Sequence, residues 1–437
     1  MSMPWYGELP ERWDVQKTSG LFSERQTKVS DTDFAPLSVS KGGIVPQMAT
    51  VAKSNAGDNR KLVRKGDFVI NSRSDRRGSS GVSQYDGSVS LINIVLEPRK
   101  EENGRYFHYL LRSPYFIEEY YRNGRGIVAD LWTTRYTELK TIYLPLPPRD
   151  EQDQIVRYLD WKVSQINRLI NAKRRQIALL HEQYLASINN TVTCGLVTDV
   201  NYKDTEIAWI DKMPVGWNTS AIKNHFRIEK RIAGKEGYDV LSITQKGIRI
   251  KDITTNEGQM AANYANYQFV YPGDFAMNHM DLLTGYIDIS KHFGVTSPDY
   301  RVFLLTDTTN CFSEYFLRVF QVCYRRKIFY GFGRGAASHG RWRLPKDNFL
   351  NFLIPLPPMD EQRAIAKFCL TIENTILSIV TSLENEINLL TEYRTRLISD
   401  VVTGKLDVRG VVVPEYEVAE DFAADEGVVE TEETEDE

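Results

Sequence analysis

Cysteine and histidine are scarce in this sequence. Its 437 residues include four cysteines, at 194, 311, 323 and 369, and no CxxC pair. That spacing suits neither a disulfide framework nor a zinc site. The six histidines show no H-E-x-x-H pair or other ligand spacing, so no metal site is expected. There is no G-x-x-x-x-G-K-[ST] phosphate loop and no [DNS]-P-P-[YFW] box of amino-methyltransferases. Neither nucleotide hydrolysis nor methyl transfer is therefore expected of this chain, and no cofactor is expected to bind it. No apolar run reads as long enough to span a bilayer, and residues 1–13 lack the apolar core of a signal peptide. These absences point to a soluble cytoplasmic protein without a membrane partner.

Apolar residues make up 42% of the chain, enough for buried cores, and its length suggests about two to four domains. The net charge is −4. Spread evenly, that charge would argue against a nucleic-acid binder. It is not spread evenly. Basic residues outnumber acidic ones by 22 to 17 over residues 1–149, by 6 to 5 over 150–195 and by 20 to 16 over 196–359. Acids lead by 8 to 6 over 360–410 and by 12 to none over 411–437. Without its last 27 residues the chain would be +8. The acidic end reads as a disordered, solvating tail.

The chain repeats itself. Trp5, Pro10 and Trp13 recur as Trp209, Pro214 and Trp217, an offset of 204. Gly66-Asp67-Phe68 with Asn71 recurs as Gly273-Asp274-Phe275 with Asn278, an offset of 207. Leu144-Pro145-Leu146-Pro147-Pro148-Arg149-Asp150-Glu151-Gln152 recurs as Ile354-Pro355-Leu356-Pro357-Pro358-Met359-Asp360-Glu361-Gln362, an offset of 210. An offset growing in small steps, in constant order, marks a tandem domain duplication with loop insertions; the period is too long for a solenoid.

Each copy reads as a globular part followed by a long helix. Strands are expected at 68–70, 90–96, 268–271 and 300–305, and helices at 106–122 and 311–326. Strand order stays open. The paired prolines end each globular part, because proline cannot sit inside a helix. Asp150 and Asp360 then offer N-cap oxygens, and Glu151 and Glu361 suit the positive end of the helix dipole. Heptad-spaced apolar seams follow. In the first helix they are Val156, Val163, Ile170, Ile177 and Tyr184, with Leu159, Ile166 and Leu180. In the second they are Cys369, Ile376, Leu383, Leu390 and Leu397, with Ile365, Ile372, Ile379 and Tyr393. Each helix of about 40 residues would be roughly 60 Å long. So narrow a stripe wants a partner helix. The second globular part is compact, with neighbouring ends, so the two helices should pack antiparallel. The expected fold is α+β: two tandem globular domains separated by two long antiparallel coiled-coil helices, a pseudo-twofold dumbbell. Lys173 and Glu386 interrupt the seams with opposite charges; they either meet or are solvated separately.

Candidate binding residues gather in the globular parts. In the first, Lys61, Arg64 and Lys65 precede a loop carrying Arg73, Arg76, Arg77, Ser79 and Ser80. Arginine pairs bidentately with guanine or phosphate, and small residues permit close backbone approach. The matching loop of the second part begins Asn278-His279 and is less basic. Its positive charge clusters instead at Arg325, Arg326, Lys327, Arg334 and Arg341, with Tyr330 and His339 between them. Different side chains on matching loops suit two domains that read different sequences. For each arginine taken singly, a solvated surface position is the alternative. Gly331-Phe332-Gly333-Arg334-Gly335 has the outline of a cofactor loop, but no clear helix start follows it. Asp130 with Glu138 and Lys140 has the outline of a nuclease site, but the second copy lacks the acidic pair. No catalytic residue is assigned.

Together these motifs resemble the specificity subunits of type I restriction-modification systems. The resemblance rests on W-x-x-x-[LM]-P-x-x-W at 5–13 and 209–217, on [LI]-P-L-P-P-x-D-E-Q at 144–152 and 354–362, and on the helix exit at 401–408 with a weaker copy at 192–196. It covers about residues 1–408. It implies target-recognition domains at 1–149 and 196–358, spacer helices at 150–195 and 359–407, and the acidic tail at 408–437. Each domain would read one half of a split, asymmetric site in double-stranded DNA. The helices would set the gap and dock two methyltransferase subunits, with two restriction/translocase subunits where the system has them. S-adenosylmethionine would belong to the former, ATP and Mg to the latter, in a bacterial or archaeal cytoplasm. The chain itself would be no enzyme. Two other classes stay open: a component with its own nuclease or methyltransferase site, and a coiled-coil scaffold that binds only protein.

Overall fold

The computed structural model describes residues 4–47, 57–100, 102–126, 132–197, 199–253, 263–335 and 342–416. Two compact units divide the chain: Met1–Gln176 with Ser382–Glu437, and Ile177–Thr381. The acidic tail beyond 416, and with it the expectation of disorder, lies outside the described residues.

The first unit is built on a four-stranded antiparallel sheet, in the order Phe22–Glu24, Asn93–Pro98, Phe68–Asn71, Ser80–Val82. Strand side chains alternate between faces. Phe68, Ile70, Ile94 and Leu96 enter the main core beside Tyr106, Phe107, Leu110 and Phe116. Val69 and Val95 face the other way, into a smaller core with Leu37, Val39, Ile44, Val63 and Val89. The expected strand at 90–96 begins later, at Asn93, because residues 90–92 form the turn after Gly87–Val89. The expected helix at 106–122 is two helices, Gly104–Leu110 and Pro114–Arg122. Ser113 caps the second, its hydroxyl accepting from Phe116 N at 3.3 Å, and Pro114 fills the first helical position. Strand Asp14–Lys17 pairs with Tyr143–Leu146, which delivers the chain to the first long helix.

The second unit repeats this plan. Its sheet runs Phe226–Glu229, Arg301–Leu305, Phe275–Met277, Ile287–Ile289. Phe275, Met277 and Phe303 face the main core; Ala276 and Val302 face the smaller one. Asn218–Ala221 pairs with Leu353–Leu356, leading into the second long helix. The repeated Gly-Asp-Phe motif is a turn with a buried anchor. Gly66 and Gly273 have φ of +94° and +92°, a conformation that favours glycine. Asp67 accepts from Arg64 N and Arg25 Nε, both at 2.8 Å. Asp274 accepts from Tyr271 N at 2.8 Å and pairs with Arg231.

The long helices are Arg149–Cys194 and Met359–Val402. Both begin one residue before the expected cap, so Asp150 and Asp360 lie inside the first turn and act through the dipole rather than as N-caps. The glutamine that closes the repeated motif is buried in both copies and bonds backbone. Gln152 Nε2 donates to Pro147 O at 3.0 Å, and its Oε1 accepts from Asn103 N at 3.1 Å. Gln362 Nε2 donates to Pro357 O at 2.8 Å and Asn310 O at 2.7 Å, and its Oε1 accepts from Phe312 N at 2.8 Å.

Within the first unit the start of one long helix lies antiparallel to the end of the other: Asn167 bonds Arg394, and Lys173 pairs with Glu386. The two polar interruptions of the seams therefore meet. In the second unit Tyr184, Ile188 and Val192 share a core with Ile365, Cys369, Ile372 and Ile376. One seam departs from the strict heptad. Ile379 and Tyr393 are exposed, while Val380 is buried and Ile387 half-buried. A straight helix has 3.6 residues per turn, so a 3.5-residue stripe drifts off the contact face over several turns. The second long helix is also apolar and long enough, by composition, to cross a membrane, contrary to the expectation above. Lys367 and Glu373 interrupt any continuous run, but Phe368 and Leu370 lie exposed between them and Leu377 just beyond.

Candidate nucleic-acid interface

In each unit, the loop after the central strand is zipped to a hairpin distant in sequence. In the first, Ser74 N donates to Trp132 O at 3.1 Å and Thr134 N to Ser72 O at 2.9 Å. Arg125 and Thr133 exchange backbone bonds of 2.8 and 3.0 Å. In the second, Leu344 N donates to His279 O at 3.0 Å, and Arg334 and Arg343 exchange bonds of 2.8 and 3.0 Å. Asn71 and Asn278 start the loops: their side-chain oxygens accept from Arg73 N at 3.0 Å and Met280 N at 3.2 Å. Asparagine suits such turns because its side chain mimics a backbone carbonyl.

A tryptophan locks each hairpin. Trp132 Nε1 donates to Tyr121 O at 2.8 Å, and Trp342 Nε1 donates to Tyr330 O at 2.7 Å. A glycine lies under each indole. A Cβ built on Gly124 or Gly333 would stand 2.4 Å from the Trp Nε1, closer than any side chain tolerates. That contact accounts for Gly333 within the 331–335 run, where a cofactor loop was the alternative.

The basic loop of the first unit is largely paired within itself. Arg73 Nε lies 3.2 Å from Asp75, and Arg76 Nε lies 3.9 Å from the same carboxylate. Arg77 pairs with Glu118 and stacks 4.5 Å over the Tyr121 ring. Arg73, Arg77, Tyr121 and Trp132 line one small cavity beside the loop. Arg64 pairs with Asp86 at 2.8 Å and covers the Phe34 ring; Lys65 is exposed beside it. Lys61 is committed inward, its ammonium 3.0 Å from Glu24 and 2.9 Å from Asn93 O. Ser79 and Ser80 correct the expectation most clearly. They are 5% and 0% exposed: Ser80 begins a strand of the sheet and Ser79 directly precedes it, so neither hydroxyl lies on the surface. Glu138 of the nuclease outline accepts from Arg135 N at 3.1 Å and caps a short helix; Asp130 lies outside the described residues.

In the second unit Arg325 turns inward between the Tyr184 and Tyr286 rings, and Arg326 bonds Asn189 at 2.8 Å. Lys327 is exposed with φ +57°, the left-handed region that a non-glycine residue seldom adopts. Tyr330 stacks on Trp342 with ring centroids 5.2 Å apart. His279 is held to a pKa of about 3 by burial and by Arg301 and Arg343, so it is neutral at neutral pH. Arg334 is exposed, and so is Arg343, directly opposite it in the hairpin ladder. Like charges placed opposite one another cost stability, and neither guanidinium is ion-paired to an acid among the described residues. His339 and Arg341 lie outside the described residues.

Residues 214–389 match the family model of the type I restriction modification DNA specificity domain. The chain is 21% identical over 446 residues to the MjaX type I restriction enzyme specificity subunit of Methanocaldococcus jannaschii, covering 92% of this chain and 96% of that one. Residues 214–389 thus resemble a type I specificity domain, and the chain as a whole is similar to a type I specificity subunit. A solved structure from a study of complex assembly and conformational transition of the type I R-M system has the same fold, with a TM-score of 0.65 and 12% identity. The match covers 91% of this chain and 100% of that one.

Sequence reasoning missed Arg343, Arg125 and the Gly–Trp locks. A signal was available: Trp132 and Trp342 stand at the same offset of 210 as the proline motif.

Proposed function

We propose that this chain is a type I specificity subunit that reads a two-part DNA site, one half with each globular domain, and performs no chemistry of its own. The observation that carries the reading is the duplicated face: matching backbone bonds, Thr134 N to Ser72 O and Leu344 N to His279 O, with the Arg125–Thr133 and Arg334–Arg343 pairs, hold both hairpins, while the side chains they present differ. Arg73, Arg76 and Arg77 stand where the second copy has Met280 and its neighbours, and Arg343 stands where the first has Thr133. A conserved frame with divergent side chains suits two readers of unlike sequences. The long helices act as the spacer that fixes the gap, in the antiparallel dumbbell arrangement that the duplication implies. Their exposed apolar residues, Leu169, Leu179, Leu370 and Leu377, suit docking of two methyltransferase subunits. Restriction subunits, where present, would join the same assembly. S-adenosylmethionine, ATP and Mg belong to those partners. The site of action is the cytoplasm of the host cell.

The test is to map methylated adenines in host DNA with and without this gene. A split motif that vanishes with the gene is the expected outcome. Inserting one heptad into the first long helix should then change the gap and leave both half-sites intact. Methyl transfer by the purified chain alone would overturn the reading, as would failure to bind DNA in the presence of its methyltransferase partner.

A further inference from the structure

Three side chains distant in sequence converge in the second unit. His225 precedes strand Phe226–Glu229, Asp307 follows strand Arg301–Leu305, and Cys311 leads into helix Ser313–Arg325. His225 and Cys311 are buried and Asp307 is half-buried. Their potential ligand atoms all lie within 4.8 Å of one another, with His225 Nδ1 2.9 Å from Asp307 Oδ2. We propose that His225, Asp307 and Cys311 form a binding site for one divalent transition-metal ion, with zinc the best-matched occupant. An imidazole, a thiolate and a carboxylate together suit zinc or cobalt and are poor ligands for magnesium or calcium.

The surroundings are arranged as ligands require. A metal-bound histidine is held by a hydrogen bond at its other ring nitrogen. Here Ser220 Oγ lies 2.8 Å from His225 Nε2 and can accept from it, leaving the Nδ1 lone pair free to face the cluster. Asp307 Oδ1 accepts from Thr309 N at 3.2 Å and Asn310 N at 3.1 Å, which fixes the carboxylate. Its Oδ2 faces the imidazole, with Asn310 Nδ2 at 3.0 Å. Ligands about 2.0–2.3 Å from a tetrahedral zinc stand roughly 3.3–3.6 Å apart. That spacing falls between the 2.9 Å contact and the 4.8 Å limit, so modest side-chain shifts complete the site. Water takes the fourth position.

Proton balance is simple. Burial and the Asp307 carboxylate push the Cys311 thiol up to about 12, so it is protonated without a cation. Binding forms the sulfur–metal bond and releases that proton to solvent. The imidazole binds through Nδ1, its ring proton passing to Nε2, where Ser220 Oγ can accept from it. The duplication supplies a contrast. Phe226 pairs with Leu305 as Phe22 pairs with Pro98, and Phe312 N bonds Gln362 as Asn103 N bonds Gln152. That register places Leu21, Lys100 and Glu102 at the matching positions of the first unit. The shared fold therefore does not demand a His-Asp-Cys set. A metal ion here would clip a strand, a loop and a helix together in one domain only.

The test uses the full chain stripped with a chelator and titrated with Co²⁺, then with Zn²⁺. The expected result is one Co²⁺ per chain with a thiolate-to-cobalt charge-transfer band, displaced by Zn²⁺. Cys311→Ser should abolish the band, Asp307→Asn and His225→Gln should weaken binding at least about tenfold, and Cys194→Ser should change neither. Zn²⁺ should raise the melting temperature of the wild type but not of Asp307→Asn. If Cys311→Ser does not fold, the Asp307→Asn comparison decides. Absence of a thiolate band, a band that survives in Cys311→Ser, or equal Co²⁺ affinity in Asp307→Asn would overturn the site.

Discussion

The sharpest prediction concerns Arg334 and Arg343. They face each other across a two-residue ladder, with backbone bonds of 2.8 and 3.0 Å, and both are exposed. No acid among the described residues is paired with either, so the hairpin holds two like charges side by side at a cost. DNA phosphates would remove that cost. Each phosphate neutralised contributes about 0.9 to the slope of log K against log salt, so losing two contacts should lower the slope by about 1.8. Between about 50 and 200 mM salt, that difference amounts to roughly a 12-fold change in the wild-type-to-variant affinity ratio. The assay is fluorescence anisotropy on a target duplex, with the specificity subunit assembled with its methyltransferase partner, comparing wild type with the Arg334→Ala/Arg343→Ala double variant. An unchanged salt slope would refute the argument outright. A contrast is built in: Arg73 already shares Asp75, so Arg73→Ala should change the slope by less than one phosphate's worth.

Other expectations follow from single contacts. Gln362→Leu leaves Pro357 O, Asn310 O and Phe312 N without a partner and should cost about 3–6 kcal/mol in urea unfolding; Gln152→Leu strands two backbone groups and should cost about 2–4 kcal/mol. Reversing Lys173 or Glu386 alone should destabilise the helix pair, and the double reversal should recover it, with a coupling of about 0.2–1 kcal/mol because the pair is partly exposed. Gly333→Ala should break the Trp342–Tyr330 bond, cost about 1–3 kcal/mol and shift tryptophan fluorescence. His279 is held to about 3 when folded, below its unfolded value of about 6.5, so its contribution to stability is full above pH 6.5 and is lost as pH falls towards 3. His279→Gln should therefore remove about 2 kcal/mol of the stability loss measured between pH 7 and 5.

Much of the fold was legible because the chain states it twice. The proline motif, the Gly-Asp-Phe turn and the two tryptophan pairs each occur in order, and periodicity located both long helices to within one residue at their starts. Lys173 and Glu386 were legible as a pair because opposite charges interrupt both seams. The seam at 379 and 393 was not, since the eye follows a strict heptad and the helix does not. The binding face was harder. Composition marks Arg73, Arg76 and Arg77 as basic, but Asp75 and Glu118 partly neutralise them only once the chain is folded. Ser79 and Ser80 look like loop residues in sequence and are buried in space, Ser80 at the start of a strand. Arg343 gave no signal by itself; its significance comes from Arg334, nine positions earlier, across a hairpin that only the fold closes.

The frame and the reading surface divide along a chemical line. Bonds that hold the frame end on backbone atoms: Tyr106 Oη donates to Pro145 O at 3.1 Å, Tyr315 Oη to Val192 O at 3.1 Å, and the two tryptophans and two glutamines likewise reach carbonyls. A carbonyl is the same whatever side chain its residue carries. The hairpin residues can therefore change identity without disturbing the bonds that position them, which is what the pairs Thr133/Arg343 and Ser72/His279 show. New sequence preference can then arise by substitution on the face alone. Grafting residues 71–79 with 125–134 from the first unit onto 278–286 with 334–344 should move half-site preference and leave stability near wild type. A graft of the loop alone should also fold, because the Leu344 N bond reaches a backbone carbonyl whichever residue supplies it, and should move preference only in part.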